Sequence, residues 1–144
     1  MQTELQAVVE DLLVAVGASR ATIRLDTPGD AFFPVVAEAT APGIRSIRDE
    51  TGIDLRSAPT FQQLDRTLDV LIQGDLLATD TPPPPELIAQ YGARAQMLAP
   101  VVRDGRMVGF VSAHSGPDVR AWGETDVGAI RTAAARVEAI LLSS

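Results

Sequence analysis

The side chains best suited to binding chemistry lie near the ends of apolar strands and in one long loop. His114 is the only histidine of the 144 residues and directly follows an apolar run. Arg24 lies in a short segment of alternating polar and apolar residues, and a guanidinium can hold a carboxylate or phosphate through two parallel hydrogen bonds. Three further arginines, Arg45, Arg48 and Arg56, share one loop, where together they could close over an anion.

Each of these side chains also has a structural interpretation. His114 could be a hydrogen-bonded histidine at a strand end, and the loop arginines could be solvated. Arg24 could form a salt bridge at the sheet edge, for which three carboxylates lie near it in sequence. These are Asp26, Asp30 and Glu38.

Asp75 and His114 could form an acid–base pair, although nothing local in the sequence brings them together. Phe110 and Trp122 are interpreted mainly as core residues.

The composition excludes several kinds of site. The chain has no cysteine, so disulfides and thiolate metal sites are impossible. A lone histidine without an acidic partner at ligand spacing is a weak metal signal, and we predict neither a metal nor a cofactor. There is no serine nucleophile motif and no phosphate-binding loop. A net charge of -7 without a basic stripe argues against binding to nucleic acid or an anionic membrane.

The length and apolar content indicate one domain over residues 1–144. An apolar content of 46% is enough for a sizeable core. No segment approaches the length of a membrane span, and the N-terminus lacks the basic and apolar regions of a signal peptide. We therefore expect a cytoplasmic protein.

A hairpin in the C-terminal half is the strongest structural prediction. Apolar runs at residues 97–102 and 107–113 flank Asp104-Gly105. Asp-Gly suits a type I′ turn, because both central residues need positive φ. Both runs are apolar on both faces, which is typical of strands that are covered on two sides.

Long helices are predicted at the two ends of the chain. Residues 3–16 carry an apolar stripe, a capping box of Thr3 with Gln6, and a stop at Gly17. Residues 124–142 carry a seam at coiled-coil spacing, formed by Val127, Ile130, Ala134, Val137 and Leu141. We predict that the two helices pair on one face of a sheet and form a homodimer through their remaining apolar stripes.

The segments between these elements are shorter and less regular. Residues 41–56 have no clean period, so we predict a long, partly ordered loop of a kind that is often functional. Pro59 favours the first turn of a helix that begins near Ser57. The other predicted segments are strands at residues 21–25 and 33–39 with a turn at 26–30, a strand at 69–76 and a helix at 86–91.

The ordered set of segments resembles a GAF domain over essentially the whole chain. The segments that carry the resemblance are Gly17-Ala18-Ser19-Arg20-Ala21, Gln73-Gly74-Asp75, Leu98-Ala99-Pro100-Val101, Met107-Val108-Gly109-Phe110-Val111 before His114, and Arg120-Ala121-Trp122. Residues 109–122 also resemble the GAF domains of phytochromes. The resemblance implies an α+β fold with an antiparallel sheet of five to six strands. The terminal helices would cover one face, and loops and short helices would form a pocket on the other.

The resemblance and the strand alternation together predict the pocket residues. Ile23 and Leu25 should face the helices, so that Thr22 and Arg24 face the pocket. The predicted ligand-binding set is Arg24, His114, Ser112, Phe110, Thr22, Gln96, Asp75 and Arg56, with Gln73 as a further pocket-facing residue. Since the first strand neighbours the last in this fold, Arg24 and His114 are expected to meet across one strand spacing beneath the loop. A carboxylate nearby would then favour the charged form of His114.

The resemblance also has clear departures. Without cysteine, the covalent bilin attachment of phytochromes and the activity of the free methionine sulfoxide reductases are excluded. The Asn-Lys, Phe and Asp-Glu set of cyclic-nucleotide-binding GAF domains is absent. We therefore predict a sensory domain that binds an anionic metabolite and signals through a partner protein. The alternatives are an interaction module with a filled pocket, and a small enzyme in which Arg24 holds a carboxylate and His114 transfers a proton.

Overall fold

The computed structural model describes residues 1–29 and 32–144, which form a five-stranded sheet and four helices. The strands are β1 (Arg20–Leu25), β2 (Val35–Thr40), β3 (Leu71–Gln73), β4 (Ala95–Arg103) and β5 (Arg106–Ser115). The helices are α1 (Gln2–Val16), α2 (Pro59–Thr67), α3 (Pro85–Ala89) and α4 (Glu124–Ser143). The order across the sheet is β2-β1-β5-β4-β3, and every neighbouring pair is antiparallel. The predicted α+β fold class is confirmed.

The central hairpin forms as the sequence predicts. Asp104 and Gly105 have φ values of 53° and 75°, the left-handed region that a type I′ turn requires. The two strands that they join, β4 and β5, lie inside the sheet. Both faces of these strands are covered, which explains why their sequences are apolar at almost every position.

The terminal helices pack on one face of the sheet. Residues of α1 and α4 share one core with the alternate residues of β1, β4 and β5. Ile130, Ala134 and Val137 of the predicted seam are buried in this core, and Val127 and Leu141 are partly buried against it. The seam therefore belongs mainly to the interior of one chain. A charge at Val137 would consequently disrupt the fold rather than report on a dimer.

The predicted capping box at the start of α1 is wrong. Met1 is the N-cap residue, and no side chain caps the helix. Gln6 Nε2 instead donates to the carbonyl of Glu38 at 2.8 Å, which anchors the helix to the edge strand β2. The predicted stop is confirmed, since Gly17 adopts the left-handed conformation with φ of 61°.

Two predicted strands are shorter than expected. β2 begins at Val35, because Phe33 has a φ of 51° and turns its ring into the core on the other face of the sheet. β3 ends at Gln73, and the chain then turns at Asp75, whose Oδ1 accepts a hydrogen bond from the Leu77 amide. The predicted turn at 26–30 lies partly outside the described residues, since Asp30 is not among them.

The segment from 41 to 56 has no regular secondary structure, as predicted. Ile47 and Leu55 bury their side chains, so the loop covers the sheet face opposite the terminal helices. Within the described ranges, no helix combines the length and the apolar character needed to cross a membrane.

Candidate functional site

A cavity lies between the sheet and the loop, on the face away from α1 and α4. Strand alternation directs Thr22 and Arg24 of β1 into it, as predicted, while Ile23 and Leu25 join the core under the helices. Six of the eight predicted ligand-binding residues line the cavity: Thr22, Arg24, Gln96, Phe110, Ser112 and His114. The other lining residues are mostly apolar: Ile47, Ile53, Leu55, Thr60, Phe61, Leu64, Pro84, Leu87 and Leu98.

The cavity is small in this conformation. Its volume is about 30 Å³, enough for one or a few water molecules. Rings of Phe33, Phe61 and Phe110 pack against one another at one end, with centroid distances from 5.2 to 6.3 Å. A larger ligand would need the covering loop to move.

Arg24 is a buried cation in the cavity wall, only 6% exposed. Its Nη1 donates to the carbonyl of Phe33 at 2.9 Å. Burial lowers the pKa of Arg24 to about 10, an effect partly opposed by Glu50, Tyr91 and Glu38. The guanidinium is therefore charged at neutral pH.

The carboxylates that the sequence suggested for Arg24 do not form a salt bridge with it within the described part of the chain. Glu38 lies instead 3.8 Å from Arg20 Nε. Asp26 is exposed beyond the end of β1, and Asp30 lies outside the described residues. Among the residues that the structure describes, the charge of Arg24 is thus matched by one neutral carbonyl and by more distant acidic groups.

The predicted proximity of Arg24 and His114 is wrong, although both do lie on the same sheet face. In the register between β1 and β5, Arg24 is paired with Phe110, and His114 is paired with Arg20. The two predicted partners are therefore four residues apart along the strands, roughly 13 Å at the usual rise. Alternation determines which face a residue occupies, but it does not determine the register between two strands.

Arg20 is the partner that sequence reasoning missed. It is 1% exposed, and its Nη1 lies 3.3 Å from His114 Nδ1. Its Nη2 donates to the carbonyls of Arg45 at 2.6 Å and Tyr91 at 3.3 Å. The available signal was parity, because Arg20 shares its face with Thr22 and Arg24. The predicted strand began one residue too late to include it.

His114 is neutral, contrary to the expected charged form. It is 4% exposed, and burial lowers its pKa to about 3, with Arg20 and Arg24 adding to the effect. The expectation assumed a neighbouring carboxylate, but the charged groups that act on His114 are the cations Arg20 and Arg24. Since the Arg20 guanidinium can only donate, His114 Nδ1 must accept, which puts the imidazole proton on Nε2.

Two glutamines extend the polar surface across β4 and β3. Gln96 Nε2 donates to Gln73 Oε1 at 2.9 Å, and Gln73 Nε2 donates to the Thr81 carbonyl at 2.7 Å. Gln96 is fully buried, and its Oε1 has no partner among the described residues. The hydroxyls of Thr22 and Ser112, by contrast, satisfy each other.

Two predicted ligand-binding residues lie outside the cavity. Asp75 accepts a hydrogen bond from Arg94 Nε at 2.8 Å and shapes the turn after β3. Arg56 is exposed, with its guanidinium 4.0 Å from the centre of the Phe32 ring. Within the described residues, no three His, Asp or Glu side chains cluster as metal ligands.

Solved structures similar to this chain share its fold. The GAF domain of the cyanobacteriochrome TePixJ matches with a TM-score of 0.79 and 20% identity over 99% of this chain and 89% of that one. The chromophore-binding domain of Stigmatella aurantiaca bacteriophytochrome matches with a TM-score of 0.75 and 17% identity, over 100% of this chain and 55% of that one. A domain of a putative two-component sensor histidine kinase from Sinorhizobium meliloti 1021 matches with a TM-score of 0.73 and 16% identity, over 99% of this chain and 91% of that one.

None of the curated proteins matches the sequence of this chain. The family model for the GAF domain, however, matches residues 1–141. Its match over nearly the whole length agrees with the sheet order and with the cavity on the face opposite the terminal helices. The chain belongs to the GAF domain family.

Proposed function

We propose that this GAF domain binds a small anionic metabolite in the cavity over the sheet and passes the bound state to a partner protein. The observation that carries the proposal is Arg24, a buried guanidinium that lines the cavity and has one neutral hydrogen-bond partner among the described residues. A buried charge without a close counter-charge is costly, so an anion that reaches Arg24 gains a strong interaction.

The loop over the cavity supplies a means of signalling. Ile47, Ile53 and Leu55 form part of the cavity wall, and the cavity is too small for more than waters unless they move. A ligand that enters must therefore shift this loop. Any partner that contacts the loop would then distinguish the bound from the free state, because binding stabilises one of two conformations.

The chromophore function named for similar structures does not fit this chain. The similar proteins are described as a cyanobacteriochrome and a bacteriophytochrome. This chain has no cysteine for a thioether bond, and a cavity of about 30 Å³ would have to open much further for a tetrapyrrole than for a small metabolite. The residues present therefore do not support a bilin, and the proposal rests on a smaller ligand.

A filled pocket is the second candidate function, and the small volume favours it. In that case the domain would act as an interaction module whose side chains replace the ligand. The enzyme alternative has less support. An imidazole with a pKa of about 3 is neither protonated at neutral pH nor an effective base.

A ligand screen separates the first two candidates. We expect carboxylate or phosphate compounds to raise the unfolding temperature of the wild-type protein. A ligand at a hundredfold excess over its Kd should add about 2.7 kcal/mol to the free energy of unfolding. Isothermal titration calorimetry should show binding lost in Arg24→Met. Arg106→Met removes the same charge from the exposed start of β5 and serves as the matched control.

Two results would contradict the anion proposal. One is equal affinity in Arg24→Met and wild type. The other is the absence of stabilisation by any small anion, which would favour the filled-pocket module. Asp30→Asn should be measured in the same assay, to test whether this carboxylate competes with the ligand for Arg24.

The proposal also includes a homodimer in the cytoplasm. Val14 on α1 and Leu142 on α4 are exposed apolar residues, 83% and 73% accessible. A second copy that covers the outer side of these helices would bury them.

A further inference from the structure

A row of polar side chains crosses four strands at one end of the cavity. In the sheet register, Gln73 is paired with Gln96, Gln96 with His114, and His114 with Arg20. Directly paired residues in neighbouring antiparallel strands have side chains about 5 Å apart. The four side chains therefore lie side by side on one face of the sheet.

The orientation of Gln96 follows from its neighbours. Gln73 Nε2 donates to Thr81 O at 2.7 Å and to Thr79 Oγ1 at 3.1 Å, which directs Gln73 Oε1 towards β4. Gln96 must then present Nε2 to that oxygen, as the 2.9 Å contact shows. A flipped amide would put two oxygens against each other. Gln96 Oε1 is consequently left as the atom that needs a donor.

The orientation of His114 follows from the other end of the row. Its Nδ1 accepts from Arg20, so the ring proton lies on Nε2. Among residues 1–29 and 32–144, no acceptor bonds this Nε2–H. The row is therefore interrupted between a free donor on His114 and a free acceptor on Gln96, and both residues line the cavity.

The interruption defines the chemistry of whatever completes the row. A buried acceptor without a partner costs about 1–3 kcal/mol. A group that donates to Gln96 Oε1 removes that cost, and if it also accepts from His114 Nε2–H it gains a second hydrogen bond. Water, a hydroxyl and an amide can do both. An ether accepts only, and a methyl group does neither.

We propose that the ligand carries a hydroxyl or amide group that binds between His114 Nε2 and Gln96 Oε1. This inference rests on the proposed function, in which Arg24 binds the anionic end of the same ligand. Arg24 and His114 are four residues apart in register, roughly 13 Å between their backbones. The wall near them includes Leu64, Leu98 and Phe110. The ligand class is thus a carboxylate joined by a short apolar chain to a hydroxyl or amide.

The Thr22–Ser112 pair lies between Arg24 and His114 in the register and needs no hydrogen bond from the ligand. Thr22 is paired with Ser112 in the register, and the two hydroxyls bond each other. A ligand chain that passes them needs no polar group at that point. Its polar groups are therefore required at its two ends only.

Three probes of equal chain length test the proposal by calorimetry: hexanoate, 6-hydroxyhexanoate and 6-methoxyhexanoate. Wild-type protein should bind the hydroxy acid about tenfold more tightly than hexanoate or the methoxy acid. Gln96→Met should remove this preference by lowering affinity for the hydroxy acid alone. Gln62→Leu alters a glutamine of α2 that is exposed outside the cavity, and it should preserve the preference.

The imidazole provides a second readout that does not depend on a variant folding. Long-range nitrogen–proton NMR should show the Nε2–H tautomer of His114 in the free protein, with a shift of Hε2 on addition of the hydroxy acid. An Nδ1–H tautomer, or a charged ring at neutral pH, would overturn the proposal.

The outcomes also distinguish this inference from the anion proposal. Equal binding of all three probes that is lost in Arg24→Met overturns the hydroxyl site alone. Tighter binding of the hydroxy acid than of the other two probes, with affinities that are unchanged in Arg24→Met, overturns the anion site alone. Failure of all three probes to bind wild-type protein overturns both.

Discussion

The two faces of the sheet are equally buried but chemically opposite. On the helix side, Ile23, Met97 and Val111 have no measurable exposure and pack against α1 and α4. On the cavity side, Arg24 and His114 are also more than nine-tenths buried, yet both are ionisable. The same strands supply both faces through alternate residues.

The difference separates the sources of stability and function. Apolar burial stabilises the helix side in proportion to the area removed from water. On the cavity side, desolvation lowers the pKa of both Arg24 and His114, so the charged form of each is less favourable in the folded state than in water. We infer that this face gives up some stability in order to present polar groups to a ligand.

The largest effect is expected from truncating the helix side. Ile23→Ala should lower the free energy of unfolding by about 3 kcal/mol, because it leaves a cavity in a fully buried site. Urea denaturation measures the change.

Arg24→Met is the matched control for that truncation, one residue along the same strand but on the other face. Replacing a poorly compensated buried charge by an apolar side chain should change stability by less than about 1 kcal/mol. Equal losses in the two variants would mean that the faces do not differ in the way proposed.

An intermediate effect is expected from pH. The folded pKa of His114 is about 3, below its ordinary value of 6.5, so the unfolded chain binds a proton between these values that the folded chain does not. The contribution of neutral His114 to the free energy of unfolding should therefore be fully present above pH 6.5. Below that pH the free energy of unfolding should fall by about 1.4 kcal/mol per pH unit, until the folded pKa is reached.

The comparison for this prediction is His114→Gln, studied by urea denaturation between pH 7 and 5. That window lies above the ordinary pKa of Glu50, Asp54 and Asp75, whose own pKa values are lowered further. The difference in stability between wild type and variant should shrink by about 2 kcal/mol as pH falls. Parallel curves would show that His114 is charged, or exposed, in the folded protein.

The smallest effect on stability is expected at the outer surface of the terminal helices. Val14→Asp should change the unfolding free energy of one chain by less than about 0.5 kcal/mol, since the side chain is 83% exposed. It should nevertheless weaken the proposed homodimer, as measured by light scattering across micromolar concentrations. Leu77→Asp, on an exposed loop position, is the control. A monomeric wild-type protein would end the dimer proposal.

Local patterns in the sequence determined much of the fold. Asp104-Gly105 between two apolar runs specified the hairpin, because few residues tolerate positive φ at both turn positions. Alternation in 21–25 correctly assigned Thr22 and Arg24 to the cavity face, since side chains alternate strictly along a strand. These features depend only on residues that are near one another in the chain.

The tertiary structure alone decided how the polar side chains meet. The register that pairs His114 with Arg20, rather than Arg24, arises from hydrogen bonds between strands that are 94 residues apart in sequence. The neutral state of His114 depends on that neighbour and on burial beneath a loop without a sequence period. Likewise, the unpaired oxygen of Gln96 exists because Gln73 is oriented by the turn after it. Such non-local contacts leave no local pattern in the sequence, because each residue type would be equally compatible with several partners.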